Sequence, residues 1–116
     1  MQMVMEAERQ LGNEPRDVSR QKCGYDIESK VQADGKLRFI EVKGRVAGAL
    51  TVTVTRNEIL TALNKPDDFI LAIGQVEDGE QKLFYIREPF QQEPEFAVES
   101  INYNLRELLA KGTPPA

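Results

Sequence analysis

The sequence contains no histidine and only one cysteine, Cys23, among its 116 residues. The lack of histidine excludes Ser-His and Cys-His nucleophile pairs, histidine general bases and histidine metal ligands. A single cysteine excludes both an intrachain disulfide and a cysteine metal cluster. An enzyme of this composition would therefore have to use carboxylates, lysine, tyrosine or a bound metal.

Long apolar runs are also missing, and so is a secretory signal, which makes the cytoplasm the expected location. Hydrophobic residues make up 41% and charged residues 29% of the chain, as is typical of a soluble globular fold. We expect one domain over residues 1–112 and a flexible tail over residues 113–116. The first predicted helix lies at the very start of the sequence without a cap residue, which is typical of a domain cut from a longer chain.

Positive charge is in short supply, because the net charge is −4 and the pI is near 4.9. A freestanding nucleic-acid-binding protein usually shows a basic surface. A local basic patch stays open as an alternative, and so does a weakly binding catalytic domain carried by a larger DNA-binding protein. The candidates for such a patch are Arg16, Arg20, Lys22, Lys43, Arg45 and Arg56.

The hydrophobic periodicity predicts an α/β fold with a mixed central sheet flanked by helices. A capping box at Thr55 and Glu58 opens the second helix, which Pro66 ends. The almost continuously apolar residues 69–76 predict a buried strand, parallel to the third strand because a helix intervenes. The predicted helices are 3–11, 55–64 and 105–111, and the predicted strands are 24–31, 36–43, 50–54, 69–76, 82–87 and 96–103.

Charged residues interrupt the second predicted strand, where Phe39, Glu41 and Lys43 share one face. In the preceding strand Asp26 and Glu28 share a face, and Tyr25 and Ile27 share the other. The Asp34-Gly35 turn predicts a hairpin. A two-residue turn would pair residue 26 with 43, whereas a four-residue loop would pair 26 with 41. Both registers place Asp26, Glu41 and Lys43 on one face.

Two carboxylates in contact resist joint ionisation unless a cation is present. Mg²⁺ prefers one or two carboxylates together with water and substrate phosphate oxygens. Lys43 could then stabilise negative charge that develops near the attacking water or the scissile phosphate. The alternative is a cross-strand salt bridge between Asp26 and Lys43 on a half-solvated face, which would contribute little.

The order of elements, together with Asp26 and Glu41-x-Lys43 at a spacing of fourteen intervening residues, resembles the PD-(D/E)XK nuclease-like superfamily. That superfamily has a restriction-endonuclease-like αβββαβ core. The stretches around Glu8-Arg9, 17–19, 24–29, 39–44 and 55–58 resemble one branch, the NO VEIN-type C-terminal domain. One departure from the superfamily motif is Tyr25, which stands where proline is usual.

The resemblance implies Asp26 and Glu41 as metal ligands, the Val42 carbonyl as a further ligand, Lys43 as the catalytic lysine and Glu8 as a helix glutamate of the site. It implies a nuclease domain that uses Mg²⁺ or Mn²⁺, acts on nucleic acid, DNA rather than RNA, and is attached to a helicase-like parent segment. The alternative is a catalytically silent module of the same fold that binds nucleic acid or docks on a protein. Arg56 and Asn57, at a helix N-terminus, are candidate substrate contacts.

Overall fold

The central sheet is built around β3, the strand in which the sequence places Glu41 and Lys43. The structure, a computed structural model, describes all 116 residues. The helices are α1 (Gln2–Gln10), α2 (Arg56–Asn64) and α3 (Leu105–Ala110), with a short 3-10 helix at Ser19–Gln21. The strands are β1 (Glu14–Asp17), β2 (Ile27–Lys30), β3 (Leu37–Val46), β4 (Thr51–Thr55), β5 (Phe69–Glu77), β6 (Glu80–Arg87) and β7 (Ser100–Asn104).

Five strands form the main sheet in the order β1-β2-β3-β5-β6. Only the β3–β5 pair is parallel, and the other neighbours are antiparallel. The sheet is therefore mixed, and helices pack on both of its faces. This arrangement confirms the predicted α/β class with a mixed sheet flanked by helices.

Each face of the sheet carries its own hydrophobic core. On one face, Val4 of α1 packs against Ile27, Ile40, Ile70 and Tyr85. On the other, Ile59 of α2 and Leu105 of α3 pack against Phe69, Leu71 and Ile73 of β5. Because β5 is covered on both sides, its residues 69–73 are continuously apolar, as is expected of a buried parallel strand, whereas charged residues interrupt β3.

The predicted pairing of the third strand is wrong. This segment, β4, pairs with β7 in a separate two-stranded sheet, and β5 runs parallel to β3 instead. The physical reason is burial: Val52 and Val54 are buried while Thr51, Thr53 and Thr55 are exposed. A strand with one solvent-exposed face is suited to a two-stranded ribbon that packs over the main sheet.

The C-terminal segment contacts β6. Tyr85 and Thr113 exchange two backbone hydrogen bonds, of 2.8 and 3.0 Å. The Arg87 guanidinium donates a 2.7 Å hydrogen bond to the Ala116 carbonyl. The four residues predicted to be a flexible tail thus contact the sheet edge at two points. No helix of the structure is long and apolar enough to cross a bilayer.

Candidate active site

The β2–β3 pair places Asp26 beside Glu41. Ile27 is paired with Ile40 and Lys30 with Leu37, so the next step along the ladder brings residue 26 opposite residue 41. The connection is the four-residue loop, closed by a 2.8 Å hydrogen bond from the Val31 amide to the Lys36 carbonyl. Of the two registers that the sequence allows, the structure has the one that opposes the two carboxylates directly.

Asp26 is fixed by its backbone and by its side chain. Its amide donates to the Ile40 carbonyl at 2.9 Å, and its carbonyl accepts from the Val18 amide at 2.8 Å. Its Oδ2 accepts a 2.9 Å hydrogen bond from the Val42 amide. Val42 therefore enters the site through its backbone N–H, and a ligand role for its carbonyl stays a prediction.

Glu41 is the buried acid of the site, with only 4% of its surface exposed. Burial raises its pKa to about 10, helped by a hydrogen bond with the Asp26 carboxylate and by the nearby charge of Glu58. The Lys43 ammonium acts in the opposite direction but is outweighed. Glu41 therefore holds a proton that it shares with its neighbouring carboxylates.

Lys43 lies on the same face, but its partners are not those of the simple salt-bridge alternative. Its Nζ is 2.9 Å from Glu58 Oε1 and 3.6 Å from Glu41 Oε1. The ammonium is largely covered, with a side-chain exposure of 19%. The ion pair thus joins β3 to α2 instead of joining Lys43 to Asp26 across the hairpin.

Glu58 is a site residue that the sequence indicated only as a helix cap. The capping box is formed as predicted: the Glu58 amide donates to Thr55 Oγ1 at 3.2 Å and Glu58 Oε1 accepts from the Thr55 amide at 2.9 Å. Burial favours the neutral acid, but the hydrogen bond from Thr55 and the Lys43 ammonium outweigh it and lower the pKa of Glu58. Glu58 is thus a carboxylate anchored at the start of α2.

A cavity of about 280 Å³ opens beside these groups. Most of its lining residues are polar or charged, and Lys22 and Asn57 are among them. Two larger cavities, of about 490 and 770 Å³, are lined mainly by residues outside the central sheet and do not include Asp26, Glu41 or Lys43. A cavity of about 310 Å³ beside α1 is lined by Lys43 but by neither acid. Both acids line the 280 Å³ cavity, together with Ser19, Lys22, Gly24, Tyr25, Thr55, Asn57 and Glu58.

Glu8, the fourth predicted catalytic residue, is not brought to this cluster. Its fully buried carboxylate accepts hydrogen bonds from Tyr85 Oη at 2.7 Å, Asn13 Nδ2 at 3.1 Å and Arg38 Nη1 at 3.3 Å. Arg38 and Glu41 are three positions apart on β3, so their side chains point to opposite faces of the sheet. Glu8, which binds Arg38, therefore lies on the α1 face, and Glu41 lies on the α2 face. Burial and the Glu8 hydrogen bond raise the pKa of Tyr85.

The candidate basic patch is only partly assembled. Arg16 pairs with Glu28 at 3.4 Å. Arg56 Nη1 donates to the Pro94, Glu95 and Val98 carbonyls, of which Glu95 is closest at 2.8 Å, so this guanidinium anchors a loop. Of the patch candidates, Lys22 lines the cavity, and so does Asn57, which was predicted separately as a substrate contact.

Comparison with known proteins gives one family. Residues 1–86 match the model of the C-terminal domain of protein NO VEIN. No curated protein matches the chain. The matched region contains Asp26, Glu41, Lys43 and Glu58 together with α1 and α2. Because the match covers well over half of the sequence, the chain belongs to the family of NO VEIN C-terminal domains.

Proposed function

We propose that this domain is a divalent-metal-dependent nuclease of the PD-(D/E)XK type, which hydrolyses phosphodiester bonds in nucleic acid. The proposal depends on one observation: Asp26 and Glu41 lie opposite each other on neighbouring segments and line one cavity, with the Lys43 ammonium 3.6 Å from Glu41 Oε1. Acid, acid and amine on adjacent strands is the arrangement that the superfamily signature implies. Membership of the NO VEIN C-terminal family supports the same interpretation.

The donor set fits Mg²⁺ or Mn²⁺. Two contacting carboxyl groups share a proton, and a divalent cation that replaces the proton removes the repulsion between them. The structure has no group of three or more acidic, cysteine or histidine side chains arranged to hold a metal ion, so a cation at this site would have at most two carboxylate ligands. These would be Asp26 and Glu41, and water and substrate oxygens would complete the shell, as is usual for Mg²⁺.

A bound cation would act as a Lewis acid toward the phosphate and lower the pKa of a coordinated water. The protein supplies the rest. Water attacks phosphorus and gives up a proton, the bond from phosphorus to one ester oxygen breaks, and that oxygen takes up a proton, so that the products are a phosphomonoester and a free hydroxyl. Lys43 stabilises the negative charge that builds up on the phosphate oxygens. The Val42 amide holds the Asp26 carboxylate at a fixed place during the reaction.

The domain by itself is poorly suited to bind nucleic acid, which is a polyanion. The net charge of −4 opposes association with nucleic acid, and Lys22 is the basic residue on the cavity wall. We therefore infer that a helicase-like parent segment delivers the substrate, DNA rather than RNA. The domain then needs only local contacts at the scissile phosphate.

Cleavage assays on the purified domain test this function. Single- and double-stranded DNA and RNA are incubated with Mg²⁺, Mn²⁺ or chelator, and the variants Lys43→Ala and Asp26→Asn are compared with Lys30→Ala. Lys30 is an exposed lysine on β2, so its variant controls for lost positive charge. We expect metal-dependent cleavage that falls by about 10²-fold or more in the two site variants only. Equal cleavage by Lys43→Ala and wild type would contradict the proposal.

A catalytically silent module is the second candidate, and the closed ion-pair network favours it. In the structure Lys43 is neutralised by Glu58, and Glu41 holds a proton, so the charged groups of the site satisfy one another. Such a module would bind nucleic acid in chelator, with an affinity that falls as salt rises, and would cleave nothing with any metal. Binding to the parent segment alone, without nucleic acid, would indicate a protein-docking module instead.

A further inference from the structure

A single carboxylate oxygen links the start of α2 to the lysine of the site. Glu58 Oε1 accepts from Lys43 Nζ at 2.9 Å and from the Thr55 amide at 2.9 Å. The Glu58 amide in turn donates to Thr55 Oγ1 at 3.2 Å. The oxygen that receives the ammonium is therefore held by the capping box and not by a freely rotating side chain.

The helix that carries this carboxylate is itself anchored to the sheet. Ile59 directly follows Glu58 and is fully buried against the α2 face, and Ala62 is also buried. Lys43 projects toward the same face from β3, the central strand of the five. A lysine stem has considerable rotamer freedom, and an anchored partner removes much of it.

We propose that Glu58 is a positioning residue that holds the Lys43 ammonium in place for catalysis. This inference rests on the proposed nuclease function. Under that function the second neighbour of Lys43, Glu41 at 3.6 Å, gives its charge to the metal ion. Glu58 is then the carboxylate that orients the ammonium until the substrate phosphate arrives. The capping box of α2 thereby belongs to the catalytic apparatus as well as to the helix.

Two substitutions at the capping box separate positioning from folding. Glu58→Ala removes the oxygen that binds Lys43 and breaks the capping box. Thr55→Ala breaks the same box but leaves Glu58 and its ion pair in place. Both variants should lower the melting temperature, because each loses one of the two reciprocal cap hydrogen bonds, and Glu58→Ala should lower it further because it also leaves the largely covered Lys43 ammonium without its partner. Only Glu58→Ala should lower kcat, by about tenfold or more with little change in KM.

A second readout does not require cleavage. The ¹⁵N–¹H signal of a lysine ammonium is visible by NMR when a stable hydrogen bond slows its exchange with water. We expect a Lys43 signal, assigned by its loss in Lys43→Met, in the wild-type protein and in Thr55→Ala but not in Glu58→Ala. If Glu58→Ala is too unstable to study, Glu58→Gln retains a cap acceptor without the charge and should broaden the signal and lower kcat.

The outcomes distinguish this inference from the function on which it rests. If the wild-type protein cleaves no nucleic acid, the nuclease proposal fails, and the ammonium signal alone decides whether Glu58 holds Lys43. A Lys43 signal that persists in both Glu58 variants overturns the positioning role. An equal fall of kcat in Thr55→Ala and Glu58→Ala also overturns it, because the loss would then follow the helix cap and not the ion pair.

Discussion

The carboxyl group of Glu41, buried on β3, is in hydrogen-bonding contact with that of Asp26, which lies opposite it next to β2. A fold optimised for stability would avoid this pair, because a buried acid next to a second carboxylate must stay protonated or be compensated. A cation bound between the two carboxyl groups would offset this cost in free energy. Stability and metal binding should therefore respond in opposite directions when Glu41 is neutralised.

Glu41→Gln should stabilise the metal-free protein while it abolishes stabilisation by metal. The neutral amide needs no proton uptake on folding, so we expect the free energy of unfolding at neutral pH to rise by about 1–3 kcal/mol. The wild-type protein should gain about 2–3 kcal/mol with Mn²⁺ at a hundred times its Kd, and the variant should gain nothing. Thermal unfolding with and without Mn²⁺ measures both.

The control for this prediction is Glu77→Gln, which neutralises an exposed acid at the end of β5. This substitution should change neither the free energy of unfolding in chelator nor the stabilisation by Mn²⁺. A Glu41→Gln protein that is less stable than wild type in chelator, or equally stabilised by Mn²⁺, would contradict the view that Glu41 is a destabilising ligand.

Stability should also depend on pH through the same carboxyl group. The pKa of Glu41 is about 10 in the folded protein against an ordinary value of 4.5, so the folded state binds the extra proton between these limits. This contribution to stability is complete below the unfolded pKa and is lost as pH rises toward the folded pKa. The metal-free wild type should lose up to about 1.4 kcal/mol per pH unit relative to Glu41→Gln.

The measurement is urea unfolding of both proteins in chelator from about pH 5 to pH 9, compared as a difference so that other groups cancel. Because metal and proton compete for the same oxygens, the apparent affinity of the wild type for Mn²⁺ should increase over the same interval. A pH-independent difference would show that Glu41 is already ionised in the folded protein.

The face shared by Asp26, Glu41 and Lys43 could be predicted because strand side chains alternate with a period of two. The register could not be predicted, because the two-residue turn and the four-residue loop differ by an even number of residues and therefore place the same side chains on the same face. The partner of β4 could not be predicted from the local sequence either. The alternation of apolar and polar residues indicates that one face is exposed to solvent, but not which strand β4 pairs with. The prediction of a parallel neighbour for residues 69–76 was right, but the neighbour is β3.

The network around Lys43 was hidden for a different reason. Glu58 lies 15 positions away on another element, and its local spacing to Thr55 already explains it as a cap. Strand alternation predicts that Tyr25 faces away from Asp26, but β2 begins only at Ile27 and the alternation does not extend to residue 25. The Tyr25 ring instead packs edge-on against Phe39 at 4.9 Å, on the face of the site.

The Glu8 cluster yields a prediction that separates structure from catalysis. Tyr85→Phe removes a 2.7 Å hydrogen bond to a fully buried carboxylate, and Glu8→Gln removes the charge that Arg38 pairs with. Each should lower the free energy of unfolding by about 1.5–3 kcal/mol. Neither should change cleavage below its melting temperature, because Glu8 lies on the other face of the sheet.

Urea unfolding and cleavage rates of the two variants check this, with Glu6→Gln as the control. Glu6 is exposed on the same helix and should affect neither measurement. If Glu8→Gln lost cleavage while Tyr85→Phe kept it, the glutamate would act in the reaction as the family resemblance implies.

Gly24 sets the distance between the Asp26 segment and α2. Its φ is +89°, and a Cβ at this position would collide with Thr61 Oγ1 and approach the Asn57 carbonyl at 3.3 Å. Gly24→Ala should therefore push α2 away from the residues that lead into Asp26. We expect a loss of about 2–4 kcal/mol in stability, part from the positive φ and the larger part from the collision.

Gly35→Ala is the matched control, because Gly35 also has a positive φ, of +71°, but a Cβ at this position would meet no atom within 4 Å. It should lose only the conformational part, about 1 kcal/mol. Since α2 carries Glu58 and Asn57, Gly24→Ala should also weaken cleavage and Mn²⁺ stabilisation, whereas Gly35→Ala should leave both unchanged. Equal losses in the two variants would mean that backbone strain, and not the packing of α2 on residue 24, determines the geometry of the site.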